Sequence, residues 1–289
     1  MKKSRLAKIL TLSLAAVMVF SLASCGGGGS DTGDKDITVI SREEGSGTRD
    51  AFTELTGVLK DDVDRTVDTA EISNSTSVVT QSVAGNDAAI GYISLGSLDD
   101  SVKAVKVDGA EASVDNVKSG DYKLQRPFNI VTKGEVAELP QDFINFIMSK
   151  DGQKIIEKEG YIAANENAGE YKASGLTGTI TLAGSTSVSP VMEVLADKYK
   201  ELNSGVTIEI QQTGSGAGIQ STIEGVCDIG MASRALADDE ASQGLTSQEI
   251  ALDGIAVIVN NDNSVDELST DQVKSIFTGE TTSWSDVSK

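Results

Sequence analysis

Glycine, serine and threonine are concentrated in three short segments of this chain: residues 41–48 (SREEGSGT), 184–189 (GSTSVS) and 213–218 (TGSGAG). Each segment follows a predicted strand and precedes a predicted helix, so its hydroxyls and backbone N–H groups are expected at a helix N-terminus. The N–H groups there have no partner within the helix, the helix end is partially positive, and glycine allows close backbone approach. Arg42 adds a planar pair of donors suited to an oxyanion. Together these features predict the binding of a small anion.

Each segment also has a purely structural interpretation. Serine and threonine before a helix are common N-caps, and glycine there is common in turns. For any one segment this interpretation is the more frequent one, whereas three segments together with Arg42 favour a binding site. Spacing alone does not establish that the three segments meet in space.

The composition excludes several kinds of chemistry. The chain has 289 residues and no histidine, which excludes a Ser-His-Asp triad, a Cys-His pair and an imidazole zinc site. Its 44 acidic and 24 basic residues give a formal net charge of −20, which argues against nucleic acid as a partner. There is no P-loop pattern, and residues 214–219 lack the last glycine of the dinucleotide-binding pattern. We therefore predict no catalytic residue, no metal and no cofactor.

The first 24 residues have the pattern of a secretory signal peptide, with a positively charged start, an apolar stretch at residues 9–20 and then small residues. Residues 22–25 (LASC) resemble a bacterial lipobox, which implies that Cys25 is lipidated and becomes the first residue of the mature chain. Residues 25–35 are then a flexible lipidated tether. The alternative is an uncleaved signal anchor, although the apolar stretch is short for a membrane-spanning helix. We therefore expect an extracytoplasmic protein that is lipid-anchored to the cell membrane.

The other potentially reactive side chains are predicted to be structural. With Cys25 lipidated, Cys227 has no disulfide partner, and its apolar, strand-like surroundings predict a buried, unreactive thiol. The acidic runs at residues 61–64 and 238–240 are typical of solvated loops or helix starts, with a calcium site as the alternative.

Strands and helices alternate along the rest of the chain. The predicted strands are residues 36–41, 89–95, 127–132, 179–183, 206–211, 227–231 and 254–259. The predicted helices are residues 49–59, 77–84, 142–148, 152–158, 190–200, 217–224 and 272–277, the last opened by a capping box at residues 269–272. The polar, aperiodic residues 163–178 predict a linker. This alternation, with several strands apolar throughout, predicts an α/β fold with mostly parallel sheets flanked by helices.

Four segments together resemble the phosphate-binding lipoproteins of bacterial phosphate ABC transporters. They are residues 40–49 (ISREEGSGTR), 183–188 (AGSTSV), 214–218 (GSGAG) and 228–234 (DIGMASR), and the resemblance covers almost all of residues 36–289. It implies a two-lobed, type II periplasmic-binding-protein-like fold with the ligand cleft between the lobes. It also implies that the protein binds inorganic phosphate and delivers it to the membrane permease of a transporter, without making or breaking a bond.

The resemblance also implies a set of phosphate-binding residues from both lobes. Those from one lobe are Arg42, Ser46, Gly47 and Thr48. Those from the other are Thr186, Ser187 and Ser215, with Ser233 or Arg234 beside them.

The chain departs from the family first in the order of its parts. In the family, the part that resembles residues 179–287 normally precedes the part that resembles residues 36–162, so this chain looks like a circular permutant. We predict that residues 36–127 and 253–289 form a discontinuous lobe A. Residues 128–252, including the linker 163–178, would form lobe B, with hinges near residues 126–127 and 252–253. The alternative is a fragment of a longer tandem protein.

The second departure concerns selectivity. Better-known members carry an aspartate at the position of Arg234, where it accepts a hydrogen bond from protonated phosphate and repels sulfate. Arg234 cannot accept a hydrogen bond, so it either adds a second guanidinium to the anion or has another role. The role of Arg49 is equally open, because its guanidinium could contribute to the anion site or pair with Asp50 or another carboxylate.

Three other functions therefore stay open from the sequence. One is the binding of another tetrahedral oxyanion, such as sulfate or molybdate. Another is a surface sensor or adhesion module with the same fold and no role in transport. A third is a secreted hydrolase or phosphatase that uses Ser46 or Ser215, against which the absence of histidine argues.

Overall fold

The structure, a computed structural model, describes residues 35–287. Its strands are β1 Thr38–Arg42, β2 Leu59–Lys60, β3 Val63–Asp64, β4 Glu71–Ser73, β5 Ala89–Ser94, β6 Val102–Ala104, β7 Lys106–Val107, β8 Gln125–Lys133, β9 Ile162–Ala163, β10 Gly178–Gly184, β11 Val206–Gln212, β12 Ile229–Ala232, β13 Leu245–Asn260 and β14 Glu267–Leu268. Its α-helices are α1 Gly47–Thr56, α2 Thr76–Ala84, α3 Val114–Ser119, α4 Glu138–Ile147, α5 Lys150–Lys158, α6 Ser189–Leu202, α7 Ser215–Glu224, α8 Asp238–Ala241, α9 Thr270–Phe277 and α10 Trp284–Val287. The predicted signal peptide and Cys25 lie outside the described residues.

One continuous sheet runs through the molecule, and the strands within each of its two ends pair in parallel. The strand order is β11-β10-β12-β8-β13-β5-β1-β4, with β6 and β9 also paired to β13. At one end β10 pairs in parallel with β11 and β12, and at the other β1 pairs in parallel with β4 and β5. The long strands β8 and β13 pair with each other antiparallel and join the two ends. The predicted α/β fold is confirmed.

The sheet carries two separate large cores, which define two lobes. The first core contains Phe52, Tyr92 and Trp284, from both early and late parts of the chain, and we call this half lobe A. The second contains Phe146 and Tyr199, and we call this half lobe B. The chain passes from one core to the other within β8 and β13.

The two ends of the described chain lie side by side in lobe A. The Trp284 N–H donates to the Lys35 carbonyl at 3.1 Å, and the Ile37 N–H donates to the Thr282 carbonyl at 2.8 Å. The Trp284 side chain is 1% exposed and its indole N–H donates to the Ala88 carbonyl at 2.9 Å. Both ends are therefore part of the same packed structure.

The predicted capping box formed, whereas one strand begins well before its predicted first residue. The capping box is present, because Ser269 Oγ accepts from Gln272 N at 3.1 Å while Gln272 Oε1 accepts from Ser269 N at 2.8 Å. The strand predicted at residues 254–259 is in fact β13, with 16 residues. Its first part is polar and mostly exposed, so it lacked the apolar signal of a buried strand.

Cys227 was predicted to be buried in a strand-like segment, and this prediction was wrong. Strand β12 begins only at Ile229, and Cys227 precedes it in a half-buried turn. Burial nevertheless raises the pKa of the Cys227 thiol, which disfavours the reactive thiolate.

The predicted linker is irregular but packed. Residues 164–177 form no helix or strand, yet Tyr171 donates its hydroxyl to Asp142 at 2.6 Å and Lys150 N donates to the Gly169 carbonyl at 2.8 Å.

Across residues 35–287, no helix combines the length and apolar character that crossing a bilayer requires.

Candidate anion-binding site

The first glycine-serine segment opens helix α1 at the boundary between the lobes. Ser46 is the N-cap, and its Oγ accepts from Arg49 N at 3.4 Å. Gly47 follows, where a Cβ would lie 2.5 Å from Ser215 Oγ and 2.8 Å from Ser233 Oγ, so any side chain there would collide with lobe B. Glycine at this position therefore serves the close approach of the two lobes.

Arg42 lies at the end of β1 and is buried, with 2% exposure. Its Nε and Nη2 donate to the two carboxylate oxygens of Glu43 at 2.7 and 2.8 Å. Nη2 also donates to Thr186 Oγ1 at 3.0 Å, across the lobe boundary. Tyr92 supports the strand end, since its hydroxyl accepts from Arg42 N at 3.2 Å, and burial raises the pKa of Tyr92 to about 12. A charged guanidinium is thus held rigidly between the lobes.

The second and third segments supply hydroxyls from lobe B. Ser185 Oγ accepts from Ser187 N at 3.2 Å and from Val188 N at 3.3 Å, so Ser185 closes the turn that precedes α6. Thr186 and Ser187 are left facing lobe A. At α7, Ser215 Oγ lies 3.2 Å from Ser233 Oγ and accepts from Ser233 N at 3.1 Å.

The predicted residues of the two lobes meet directly. Thr48 Oγ1 lies 2.9 Å from Ser187 Oγ, and Gly216 N donates to the Gly45 carbonyl at 2.9 Å. Most of the site residues predicted from the sequence are buried at this junction. They are Arg42, Ser46, Gly47, Thr48, Thr186, Ser187, Ser215 and Ser233. The convergence that spacing could not establish is present in the structure.

Sequence reasoning missed Thr76 at this junction. It is the first residue of α2 and is 4% exposed, and its Oγ1 lies 3.0 Å from Ser187 Oγ. The signal was present, because residues 73–77 (SNSTS) are rich in hydroxyls before a helix. That segment contains no glycine, so it did not match the other three.

Arg234 lies beside these residues but is bound by carboxylates. Its Nε donates to Asp50 of α1 at 2.8 Å, while Nη1 and Nη2 donate to Glu240 at 2.7 and 2.8 Å. The contact with Asp50 joins lobe B to lobe A. Burial raises the pKa of the Asp50 carboxyl. The nearby Arg234 guanidinium acts in the opposite direction but has the smaller effect.

Arg49 also forms an ion pair, with a carboxylate that is not its neighbour Asp50. Its Nε donates to Asp64 at 2.6 Å and its Nη1 donates to the Arg42 carbonyl at 2.8 Å. Arg49 therefore supports the backbone that carries Arg42. No group of three or more histidine, cysteine, aspartate or glutamate residues that could hold a metal occurs in the described part of the chain.

A buried guanidinium surrounded by hydroxyls and helix N-termini can bind a tetrahedral oxyanion, because each of these groups can donate to an anionic oxygen. Two lobes joined by paired strands, with this site at their junction, define a binding protein of the two-lobed class. A family model described as "PBP superfamily domain" matches residues 4–151 and 169–289. The chain therefore belongs to the PBP superfamily.

More specific similarity comes from individual proteins. "Phosphate-binding protein PstS 2" of Streptococcus agalactiae is 50% identical over 295 residues, with 100% of both chains covered. A crystal structure of a phosphate ABC transporter, phosphate-binding protein from Streptococcus pneumoniae has a TM-score of 0.71 and 50% identity, covering 88% of this chain and all of that chain. Within the superfamily, this chain is one of the PstS proteins. "Phosphate-binding protein PstS" of Bacillus subtilis matches a shorter part, 32% identical over 136 residues, or 43% of this chain and 45% of that protein.

Proposed function

We propose that this protein binds inorganic phosphate between its two lobes and delivers it to the membrane permease of a phosphate ABC transporter. The observation that carries this proposal is the buried Arg42 guanidinium, which donates to Thr186 across the lobe boundary amid hydroxyls from both lobes. The names of the similar proteins support phosphate as the anion. The predicted signal peptide would direct the chain out of the cytoplasm, and the lipid on Cys25 would hold the mature protein at the membrane.

The negative net charge is compatible with this function. A small buried anion is held by local donors, whereas net charge acts mainly on long-range approach. At the site, the Glu43 carboxylate already balances the charge of Arg42. Net charge therefore argues against nucleic acid but not against a single enclosed phosphate.

Binding without chemistry is the function that these contacts support. Ser46 Oγ accepts from a backbone N–H, and Ser215 Oγ lies beside another hydroxyl. A serine nucleophile needs an adjacent general base to activate it. We infer that neither serine attacks a phosphate ester, and that a chromogenic phosphate ester would not be hydrolysed.

Calorimetric titration with phosphate and then sulfate tests the proposed function. The chain from Ser30 onward contains every described residue and suits this experiment. Glu43 can accept a hydrogen bond from a protonated phosphate, which sulfate at neutral pH cannot offer. We therefore expect phosphate to bind and sulfate to compete poorly. Tight sulfate binding with weak phosphate binding would assign the protein to another oxyanion.

We expect Arg234 to join the lobes rather than hold the anion. Arg234→Met would remove a partly exposed ion pair with Asp50, and such pairs contribute about 0.2–1 kcal/mol, so phosphate affinity should fall by no more than about fivefold. Asp50→Asn should have a similar effect in calorimetry. A loss of about 100-fold in Arg234→Met, with none in Asp50→Asn, would instead place the guanidinium on phosphate.

We also propose that the chain is a circular permutant with the lobe boundaries given above. The hydrogen bond from Trp284 N to the Lys35 carbonyl and that from Ile37 N to the Thr282 carbonyl support it, since they bring together the ends that a permutation would open. The match to less than half of the Bacillus subtilis protein supports it as well. A collinear alignment can follow only one of two parts whose order is exchanged.

Exchanging the order of the two parts should leave the protein folded and able to bind phosphate. We expect this of a variant that joins residue 287 to residue 36 through a short glycine-serine linker and begins at Leu176. Gly175, just before the new start, is exposed, and a Cβ there would meet nothing within 4 Å. Changes at such sites are well tolerated. Thermal unfolding within a few degrees of the parent and equal phosphate affinity are the expected results, and failure to fold would contradict the permutation.

A further inference from the structure

Helix α2 of lobe A begins at the same junction as the three glycine-serine segments. Thr76 Oγ1 lies 3.0 Å from Ser187 Oγ and 3.4 Å from Thr186 Oγ1, and it accepts from Arg42 Nη1 at 3.4 Å. Thr76 N also donates to Thr186 Oγ1 at 3.4 Å. Both polar atoms of one residue are thus directed at the site of lobe B.

The ordinary role of a hydroxyl at this place is already filled by another residue. Ser75 is the N-cap of α2, and its Oγ accepts from Val78 N at 3.3 Å. Thr76 N lies in the first turn, where N–H groups have no partner within the helix. Capping therefore does not account for the burial of Thr76 or for the direction of its hydroxyl.

The hydroxyls at the junction form a chain across the lobe boundary. Thr48 Oγ1, Ser187 Oγ and Thr76 Oγ1 follow one another at 2.9 and 3.0 Å. Arg42 reaches Thr76 with Nη1 and Thr186 with Nη2, so an oxyanion that accepts from both nitrogens lies between these two threonines. The hydroxyls that now contact one another would each turn to donate to it.

We propose that Thr76 is a phosphate ligand, donating from its Oγ1 and its backbone N–H, so that α2 supplies a fourth helix N-terminus to the site. This rests on the proposed function. Phosphate is then enclosed by the N-termini of α1 and α2 from lobe A and of α6 and α7 from lobe B. Because the present partners of Thr76 in lobe B are Thr186 and Ser187, the anion would link α2 to α6 when the lobes close.

Thr76→Val is the direct test, with Thr80→Val as its matched control. Thr80 lies one turn further along the same helix, is also buried, and donates its hydroxyl to the Thr76 carbonyl at 3.3 Å. A hydrogen bond to a charged group is typically strong enough that its loss lowers affinity about 10- to 100-fold. We expect calorimetry with inorganic phosphate to show that loss in Thr76→Val and less than a twofold change in Thr80→Val.

A second pair keeps the test decisive if valine disturbs the junction. Thr76→Ser retains the hydroxyl and Thr76→Ala removes it, so serine should bind within about threefold of the parent and alanine about 10- to 100-fold more weakly. Equal affinity for serine and alanine, or an equal loss in Thr80→Val, would overturn the proposal. If the parent itself fails to bind phosphate, the proposed function fails, and the role of Thr76 falls with it. If the parent binds phosphate and the Thr76 variants bind it equally well, the proposed function stands and the role of Thr76 is refuted.

Discussion

Arg42→Met is expected to weaken phosphate binding by at least about 30-fold. Methionine keeps most of the buried volume but removes the charge and every donor that reaches Thr76, Thr186 and Glu43. Truncating one partner of a buried, hydrogen-bonded charge pair costs about 2–5 kcal/mol, and each 1.4 kcal/mol is tenfold in affinity. In addition, Glu43 would be left as an unpaired negative charge facing the anion. Calorimetric titration with phosphate measures the change.

Arg65→Met provides the matched control. Arg65 is also an arginine of lobe A, but its donors go to the Gly57 and Val58 carbonyls at the end of α1. It should therefore change stability without changing phosphate affinity by more than about twofold, because its hydrogen bonds do not involve the site. Unchanged affinity in Arg42→Met would refute the assignment of this junction as the phosphate site.

The second large effect is expected at the crossing between the lobes. Arg126 on β8 donates from Nε and Nη2 to Asp253 Oδ2 on β13 at 3.2 and 3.1 Å, and the side chains are 1% and 0% exposed. Ser94 donates to Asp253 Oδ1 at 2.9 Å. Arg126→Met leaves Asp253 buried without its counter-charge, which costs about 3–5 kcal/mol of the free energy of unfolding. The melting temperature should fall by roughly 10 °C, as measured by circular dichroism.

The double variant Arg126→Met with Asp253→Asn separates charge from packing. Replacing both members of a buried pair leaves no uncompensated charge, so much of the lost stability should return. A double variant no more stable than Arg126→Met would contradict the explanation. Both ionised forms are costly here, since burial raises the pKa of Asp253 to about 6 and lowers the pKa of Arg126.

The pH dependence of this pair has a definite sign. Burial raises the pKa of Asp253 to about 6 in the folded protein, from an ordinary value of 3.8. Between these values the native state binds a proton that the unfolded state does not, so the stability contributed by Asp253 is present at low pH and declines as pH rises from about 4 to about 6. The stability of the parent minus that of Asp253→Asn should decrease over this range. A difference that stays flat or rises would contradict the raised pKa.

Some features of the fold and site depend on local sequence and were predictable from it. The capping box of Ser269 and Gln272 formed as expected, because its two hydrogen bonds join residues three apart. Ser46 likewise caps α1, and the segments rich in glycine and serine open helices. The strand β13 was recognised only at its apolar end, since period and polarity report burial and not length.

The sequence by itself determined the composition of the site, including the guanidinium of Arg42, the hydroxyls before predicted helices and the absence of any imidazole. Only the tertiary structure decided which of these groups meet. Thr76 faces Thr186, 110 residues away, and Arg234 is bound to Asp50, 184 residues away. Contacts of that kind depend on how two lobes pack together, and no local spacing records them. Local hydrogen bonds follow from neighbouring residues, whereas the partners of a buried charge follow from the fold as a whole.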